Sequence, residues 1–448
     1  MRLPVLFFSF LALISLSLPL YAQEKWSLNQ CINYALKNNL DLEDAGMNSE
    51  LAGISYKQTR WNMLPSIGAG SDAGKNFGRS IDPATNSYVN TAFFNNSYYL
   101  SASVDLFRGF IYQNQIRYRE YKKDATDNSR INAADEVAFS VMNNFFNVIY
   151  YEELLKIAND QKALSEQNVK KIQILITTGL KSQADLLEVK ANYEKEELFC
   201  IQTINNIATS RIGLMKSMNL PPEKGLSLLI PESAPDSAGI LADIGALYQQ
   251  HTTWSPYIKS FEQELMASKK NVSISKGGFS PAIRLQASYN TGYYETNKDQ
   301  SGQVIDFREQ INNNQRQFVG ASLIIPVFSK NSVRFNVQTA KIEAQQAQTR
   351  LSMAKQTLLY EMERNYNELT ASQKELQQAE KQLEADKLAF QAAQKKFDQG
   401  MITAIELNAT KNRLSNSSAQ VLHARLMFEL KKRVLGFYRG NRFWEQGA

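Results

Sequence analysis

Apolar residues recur every seven positions along two long stretches of this chain and every two positions along four short ones. In the second long stretch the sevenfold series is Met362, Leu369, Leu376, Leu383, Phe390 and Phe397. Displaced by the 221 residues that separate Gly179 from Gly400, it becomes Val141, Val148, Leu155, Lys162, Val169 and Ile176, apolar except at Lys162. A sustained seven-residue period predicts long helices supercoiling on their neighbours. Ala379 and Ala393, three on from Leu376 and Phe390, let backbones approach closely. Both stretches, 110–177 and 331–398, lack interior glycine and proline. Each is roughly 68 residues, or about 100 Å as one helix.

Each stretch stops at a lone glycine, in TTGLKSQADLLEVK at 177–190 and DQGMITAIELNATK at 398–411. The same offset superimposes Ser182 on Thr403, Asp185 on Glu406, Leu186 on Leu407, Lys190 on Lys411 and Leu214 on Leu435. These glycines read as helix C-caps, with Ser182 and Thr403 as the N-caps of the next helices. Shorter helices are predicted after each turn, over 182–217 and 403–438, and ahead of each half, near 27–62 and 240–276. Two short helices laid end to end match one long one. The proline-rich stretch NLPPEKGLSLLIPESAPDSAGI, 219–240, reads as a linker between a first repeat, 23–218, and a second, 241–440, with a tail at 441–448.

Between short and long helix the period changes from seven to two. In LSASVDLF, 100–107, Leu100, Ala102, Val104 and Leu106 alternate with Ser101, Ser103 and Asp105. At the repeat offset, Ala321, Leu323, Ile325 and Val327 supply the apolar face again. A partner strand precedes each: Ile67, Ala69 and Ala73 alternate weakly with polar or glycine positions, and Ile283, Leu285, Ala287, Tyr289 and Tyr293 do so strongly. The predicted strands are thus 66–76, 97–107, 282–293 and 317–327, the hairpins opening at Pro65 and Pro281 and enclosing long Asn-, Tyr- and Ser-rich loops. Two-faced strands of about ten residues suit a membrane barrel; a half-buried soluble sheet is the less favoured reading. If they span lipid, four per chain cannot close a barrel, and an open sheet edge is not tolerated there. Several chains must then share one barrel.

Composition narrows the function classes. The chain has 448 residues, 21% of them charged, and a net charge of +6, too modest to point to nucleic acid. Residues 1–22, MRLPVLFFSFLALISLSLPLYA, read as a secretory signal peptide cut between Ala22 and Gln23; the apolar run is shorter than the roughly 20 residues of a membrane anchor. The residue immediately after the cut is Gln23 and not a cysteine, so N-terminal lipidation is not expected. Cys31 and Cys200 are expected as separate buried or semi-buried thiols. GAGSDA, 68–73, matches a loose dinucleotide fingerprint, but a strand follows it where a helix is required. His251 and His423 have no carboxylate or cysteine at metal-ligand spacing. No catalytic constellation, cofactor or metal is predicted.

The twofold repeat, the strand starts PSIG and PAIR, the strand ends LF and VF, and the turns G-x-x-[ST]-x-x-[DE]-L together resemble the TolC family of outer-membrane efflux proteins over essentially the whole mature chain. The resemblance implies a mainly α protein with a membrane β-barrel portion: a homotrimer sharing a twelve-strand barrel, continued across the periplasm as a long helical tunnel. It implies a Gram-negative outer membrane and its lipid as the setting. It also implies an inner-membrane transporter and a periplasmic adaptor as partners, for efflux or type I secretion. The family's adaptor-contacting segments match Gly179, Leu180, Lys181 and Ser182 in one half and Gly400, Met401, Ile402 and Thr403 in the other, with Leu180, Met401 and Ile402 expected to be exposed.

Asp185 and Glu406 each lie six residues past a turn glycine, about 9 Å along the helix, with Glu188 one turn on from Asp185. Three copies at one height would make a cation-favouring ring at a gate. The family carries two tunnel-side acids three residues apart in the second half; here one matches Glu406 and the other position is Ala409. The other reading is that these acids complement their helix dipoles, worth roughly 0.3–1 kcal/mol each. A secreted periplasmic coiled-coil scaffold without channel activity is the alternative function. It explains the heptads but not the alternating strands.

Overall fold

A computed structural model of the chain describes residues 25–81, 86–90, 92–230 and 243–445. The expected signal peptide and positions 231–240 of the expected linker lie outside them. The chain forms two compact units, one of 46–129 with 256–355, the other of the remaining segments.

In the second of these units, α1 (Leu28–Asn38) opens with a capping box in which Ser27 and Gln30 exchange hydrogen bonds. It buries Leu28, Cys31, Ile32 and Ala35, the spacing of one helical face. A single helix over 27–62 does not form. Asn39 breaks it: its Nδ2 donates to the Ser217 carbonyl at 3.0 Å, and its Oδ1 accepts from the backbone of Asp41 at 2.9 Å, capping α2 (Leu40–Trp61). The matching helix of the second half also divides, into α5 (Ile244–Trp254) and α6 (Pro256–Gly277). Ser255 lies between them with φ −53° and ψ 117°, because the ring of Pro256 excludes it from helical backbone.

The two long helices, α3 (Ile111–Thr177) and α8 (Ser332–Asp398), have 67 residues each. They are followed by α4 (Gln183–Met218) and α9 (Ala404–Tyr438). Every member of the two sevenfold series is buried or half-buried, Val141, Val148, Met362, Leu369 and Phe397 fully so. Lys162, the exception in the series, turns its ammonium to Glu197 of α4 at 3.1 Å. Cys31 and Cys200 are free buried thiols, and burial pushes Cys31 up to about 12. Beyond α9, Trp444 is buried against Phe139 and Phe437, and Arg442 pairs with Asp135 at 3.0 Å. Residues 442–444 of the expected tail are therefore packed structure.

His251 on α5 is buried among Trp254, Phe437 and Tyr438, its Nδ1 3.2 Å from the Tyr438 carbonyl. Burial lowers its pKa from 6.5 to about 4. In that window the unfolded chain binds the proton more readily than the folded one. Stability is therefore complete above about pH 6.5 and falls as pH drops toward 4, by up to about 3 kcal/mol per chain. Denaturant midpoints measured across this range should fall with acid, and His251→Phe should flatten the fall. An unaltered slope in the variant would assign the acid sensitivity to other groups.

The unit of 46–129 and 256–355 contains a four-stranded antiparallel sheet in the order β1-β4-β5-β6. The strands are β1 (Ser66–Asn76), β4 (Phe93–Arg108), β5 (Ala282–Tyr294) and β6 (Arg316–Ile324). A small hairpin, β2 (Arg79–Ile81) with β3 (Tyr88–Asn90), and a short helix α7 (Phe307–Asn313) occupy the two loops. Register lines up the apolar positions: Ile67 faces Ala102, which faces Ala287, which faces Val319. The opposite face carries the row Ser66, Ser103, Gln286 and Gly320, and Arg284 reaches Asp105 at 2.6 Å.

Two details depart from the alternation expected. A bulge passes the register from Asp105–Arg284 to Phe107–Ile283, so Phe107 takes the place on the apolar face expected for Leu106. Strand β6 ends at Ile324, short of Val327, because Pro326 has no N–H to continue the ladder.

Candidate functional site

The two glycine turns have one backbone design. Gly179 and Gly400 both have φ +75°, the left-handed region open to glycine without strain. Gly179 N–H donates to the Ile176 carbonyl at 2.9 Å and Leu180 N–H to Leu175 at 2.9 Å. In the second half Gly400 donates to Phe397 at 3.0 Å and Met401 to Lys396 at 2.9 Å. That pair of bonds is the Schellman termination, which consumes the orphan carbonyls of the long helix.

The next helix starts on a capping box in each case. Ser182 Oγ accepts from the Asp185 backbone at 3.2 Å while Ser182 N–H donates to the Asp185 carboxylate at 3.0 Å. Thr403 and Glu406 make the same exchange at 3.3 and 3.1 Å. The Ser182 backbone N–H, and then its hydroxyl, hold Asp185 below the ordinary carboxylate range. Two of the three gate candidates, Asp185 and Glu406, are therefore bonded to their own helix N-termini, where the dipole favours them. Glu188 is half-buried, and Ala409 is exposed.

At the turns Leu180 is 71% exposed and Met401 69%. Ile402, expected beside them, is instead half-buried against an apolar cluster that joins the hairpins. The cluster takes Ile172 from α3, Leu186 and Val189 from α4, Ala393 and Phe397 from α8, and Ala404 and Leu407 from α9. The hydrophobic effect draws Ile402 inward because its chain re-enters there. Outside the cluster, Lys171 on α3 meets Asp398 on α8 at 2.5 Å and lies 5.2 Å from the Phe397 ring.

Above the cluster is a group that periodicity did not single out. Lys411 of α9 is 1% exposed and reaches Glu196 of α4 at 2.5 Å and the Ser165 hydroxyl of α3. Glu196 Oε2 and Asn408 Nδ2 beside it are buried without partners. The available signal was its spacing: Lys411 stands four past Leu407 and three before Leu414, on the packed face of its helix.

Residues 31–220 and 247–429 match the family described as outer membrane efflux protein. The chain belongs to this family. As an outer membrane efflux protein it is placed in the Gram-negative outer membrane, in a family of channel-tunnels rather than enzymes. The chain is 20% identical over 410 residues to Toxin and drug export protein A of Aggregatibacter actinomycetemcomitans, covering 89% of this chain and 82% of that one. It is 21% identical over 346 residues to Proteases secretion protein PrtF of Dickeya chrysanthemi, covering 74% and 70%. Its fold is similar to that of the outer membrane protein VceC from Vibrio cholerae, with a TM-score of 0.80 at 15% identity, over 93% of this chain and 96% of that one. Among the described residues no helix is long and apolar enough to cross a membrane. Membership of this family disfavours the periplasmic scaffold.

Proposed function

We propose that the chain is one third of an outer-membrane tunnel that passes substrates from an inner-membrane transporter to the outside. The observation that carries this reading is the sheet: β1 and β6 are its edges, and each has an unpaired side in a protein of the outer membrane. Lipid offers no hydrogen bonds to an edge strand, so neighbouring copies must supply them. Three copies of four strands give the twelve-strand barrel of the family resemblance. The exposed stripe Leu187, Leu198, Ile201, Ile204 and Ile212 on α4 supports the same assembly, since it is apolar surface awaiting cover. Relatives named for drug export and protease secretion favour export as the task.

The glycine turns form the periplasmic end in this reading. There the segments Gly179, Leu180, Lys181 and Ser182, and Gly400, Met401, Ile402 and Thr403, meet a periplasmic adaptor. Asp185, Glu188 and Glu406 supply negative charge at the convergence of the hairpins; the exposed Glu406 leads, since capping does not neutralise it. Planar-bilayer recording tests both statements. The purified protein should give stepwise conductance with cation preference. Glu406→Gln keeps the capping bond while removing the charge, and it should lower that preference. Failure of the unaltered protein to conduct would overturn the channel; unchanged selectivity in Glu406→Gln would leave Glu406 a cap alone.

A further inference from the structure

Lys411 has a counterpart whose contacts are missing within the chain. The helices repeat at one constant offset: α3 and α8 begin at Ile111 and Ser332, and end at Thr177 and Asp398. By that offset Lys190 corresponds to Lys411, Asp386 to Ser165 and Ser417 to Glu196. Each trio holds one lysine, one acid and one serine. In the first, the acid is on the short helix α4 and the serine on the long helix α3. In the second, the acid is on the long helix α8 and the serine on the short helix α9.

The first trio is closed, with Lys411 enclosed between Glu196 and Ser165. The second is open. The Lys190 side chain is exposed and makes no hydrogen bond or ion pair among the described residues. Asp386 Oδ2 is buried with no hydrogen-bond partner, and the buried Ser417 hydroxyl turns back to the Leu414 carbonyl at 3.1 Å. Lys190 also stands three past Leu187 and eight before Leu198, within the exposed apolar stripe of α4.

We propose that Lys190 of one copy forms an ion pair with Asp386 of a second copy, repeating between chains the contact that Lys411 makes within one. The proposal rests on the trimeric tunnel proposed for this chain. In a closed ring of repeated halves, each first half meets the second half of its own chain on one side and that of a neighbour on the other. The junction inside the chain places α9 against α3 and α4, so its repeat image places α4 of one copy against α8 and α9 of the next. Charge complementarity then brings the exposed ammonium to the carboxylate. A second copy of this chain is thus the occupant of the α4 stripe, in a register set by one polar contact.

Two measurements on the full-length protein in detergent test the pair. With Lys190→Cys and Asp386→Cys combined, a short bis-methanethiosulfonate linker should produce covalent dimers and trimers on a denaturing gel and deplete the monomer band. Neither single variant should do so, and the native Cys31 and Cys200 are buried away from the reagent. Separately, Lys190→Asp and Asp386→Lys should each lower the temperature at which the assembly dissociates, and the double exchange should recover most of the loss. Native mass spectrometry distinguishes the two ways of failing. Three chains per particle, with no cross-link and additive losses, would overturn the pair and leave the trimer intact. A single chain per particle would overturn the shared barrel, and the pair with it.

Discussion

Replacing Leu180 and Met401 together by aspartate should abolish export while the protein still assembles in the outer membrane. Both residues follow the glycine of a Schellman turn, a position where an apolar side chain ordinarily folds back onto its own helix. Here they are 71% and 69% exposed, so their loss removes little packing from the hairpins. Burial of each against an adaptor is worth about 1.5–3 kcal/mol. A carboxylate in its place adds a desolvation cost, and threefold repetition multiplies the effect. The measurement is substrate sensitivity of cells carrying the variant, alongside its yield in outer-membrane fractions. Normal export by the assembled double variant would show that these side chains do not dock a partner. Ile402 is unsuitable for this test, because it packs against the cluster joining the hairpins and its replacement would disturb the fold as well.

Glu196→Ala should destabilise the hairpin region by about 3–5 kcal/mol, the usual consequence of leaving a buried charge without its partner. Lys411 is 1% exposed, and the remaining Ser165 hydroxyl offers only a neutral acceptor. The double variant Glu196→Ala with Lys411→Met should regain most of that loss, because it removes the stranded ammonium and leaves an unbranched apolar chain to fill the space. Thermal or denaturant unfolding of the three proteins gives both numbers. A loss below about 1 kcal/mol for Glu196→Ala would mean that water reaches the ammonium and that the pair behaves as a surface one.

The long helices, the two turns and the existence of the sheet are legible along the chain because each rests on a local rule. Seven-residue spacing produces a packed stripe whatever the stripe packs against, and the members of both series are indeed buried or half-buried. A glycine after a breaker-free run, followed three residues later by Ser182 or Thr403, specifies a C-cap and an N-cap from a handful of neighbours. Pro65 and Pro281 mark the starts of β1 and β5 through the same local chemistry. Repetition at a constant offset adds confirmation, since each half shows the pattern independently.

The departures occur where a distant residue has the deciding vote. Asn39 interrupts a helical run because the Ser217 carbonyl, far along the chain, accepts its amide. The bulge at Leu106 appears only when β5 is laid against β4. Asp185 and Glu406 are visible as acids near a turn, but the bonds that tie them to their own N-caps depend on rotamer and cap geometry.

By itself the sequence determined a twice-written, exported helical protein with two-faced strands, because periodicity, caps and breakers act over a few residues. Only the tertiary structure decided which of two repeat-equivalent lysines is buried. Lys411 and Lys190 occupy the same place in the same local pattern, yet one is enclosed by α3 and α4 and the other stands exposed. Burial is a property of what comes to lie against a face, and within the chain α3 and α4 cover the face that carries Lys411 while that of Lys190 is left open.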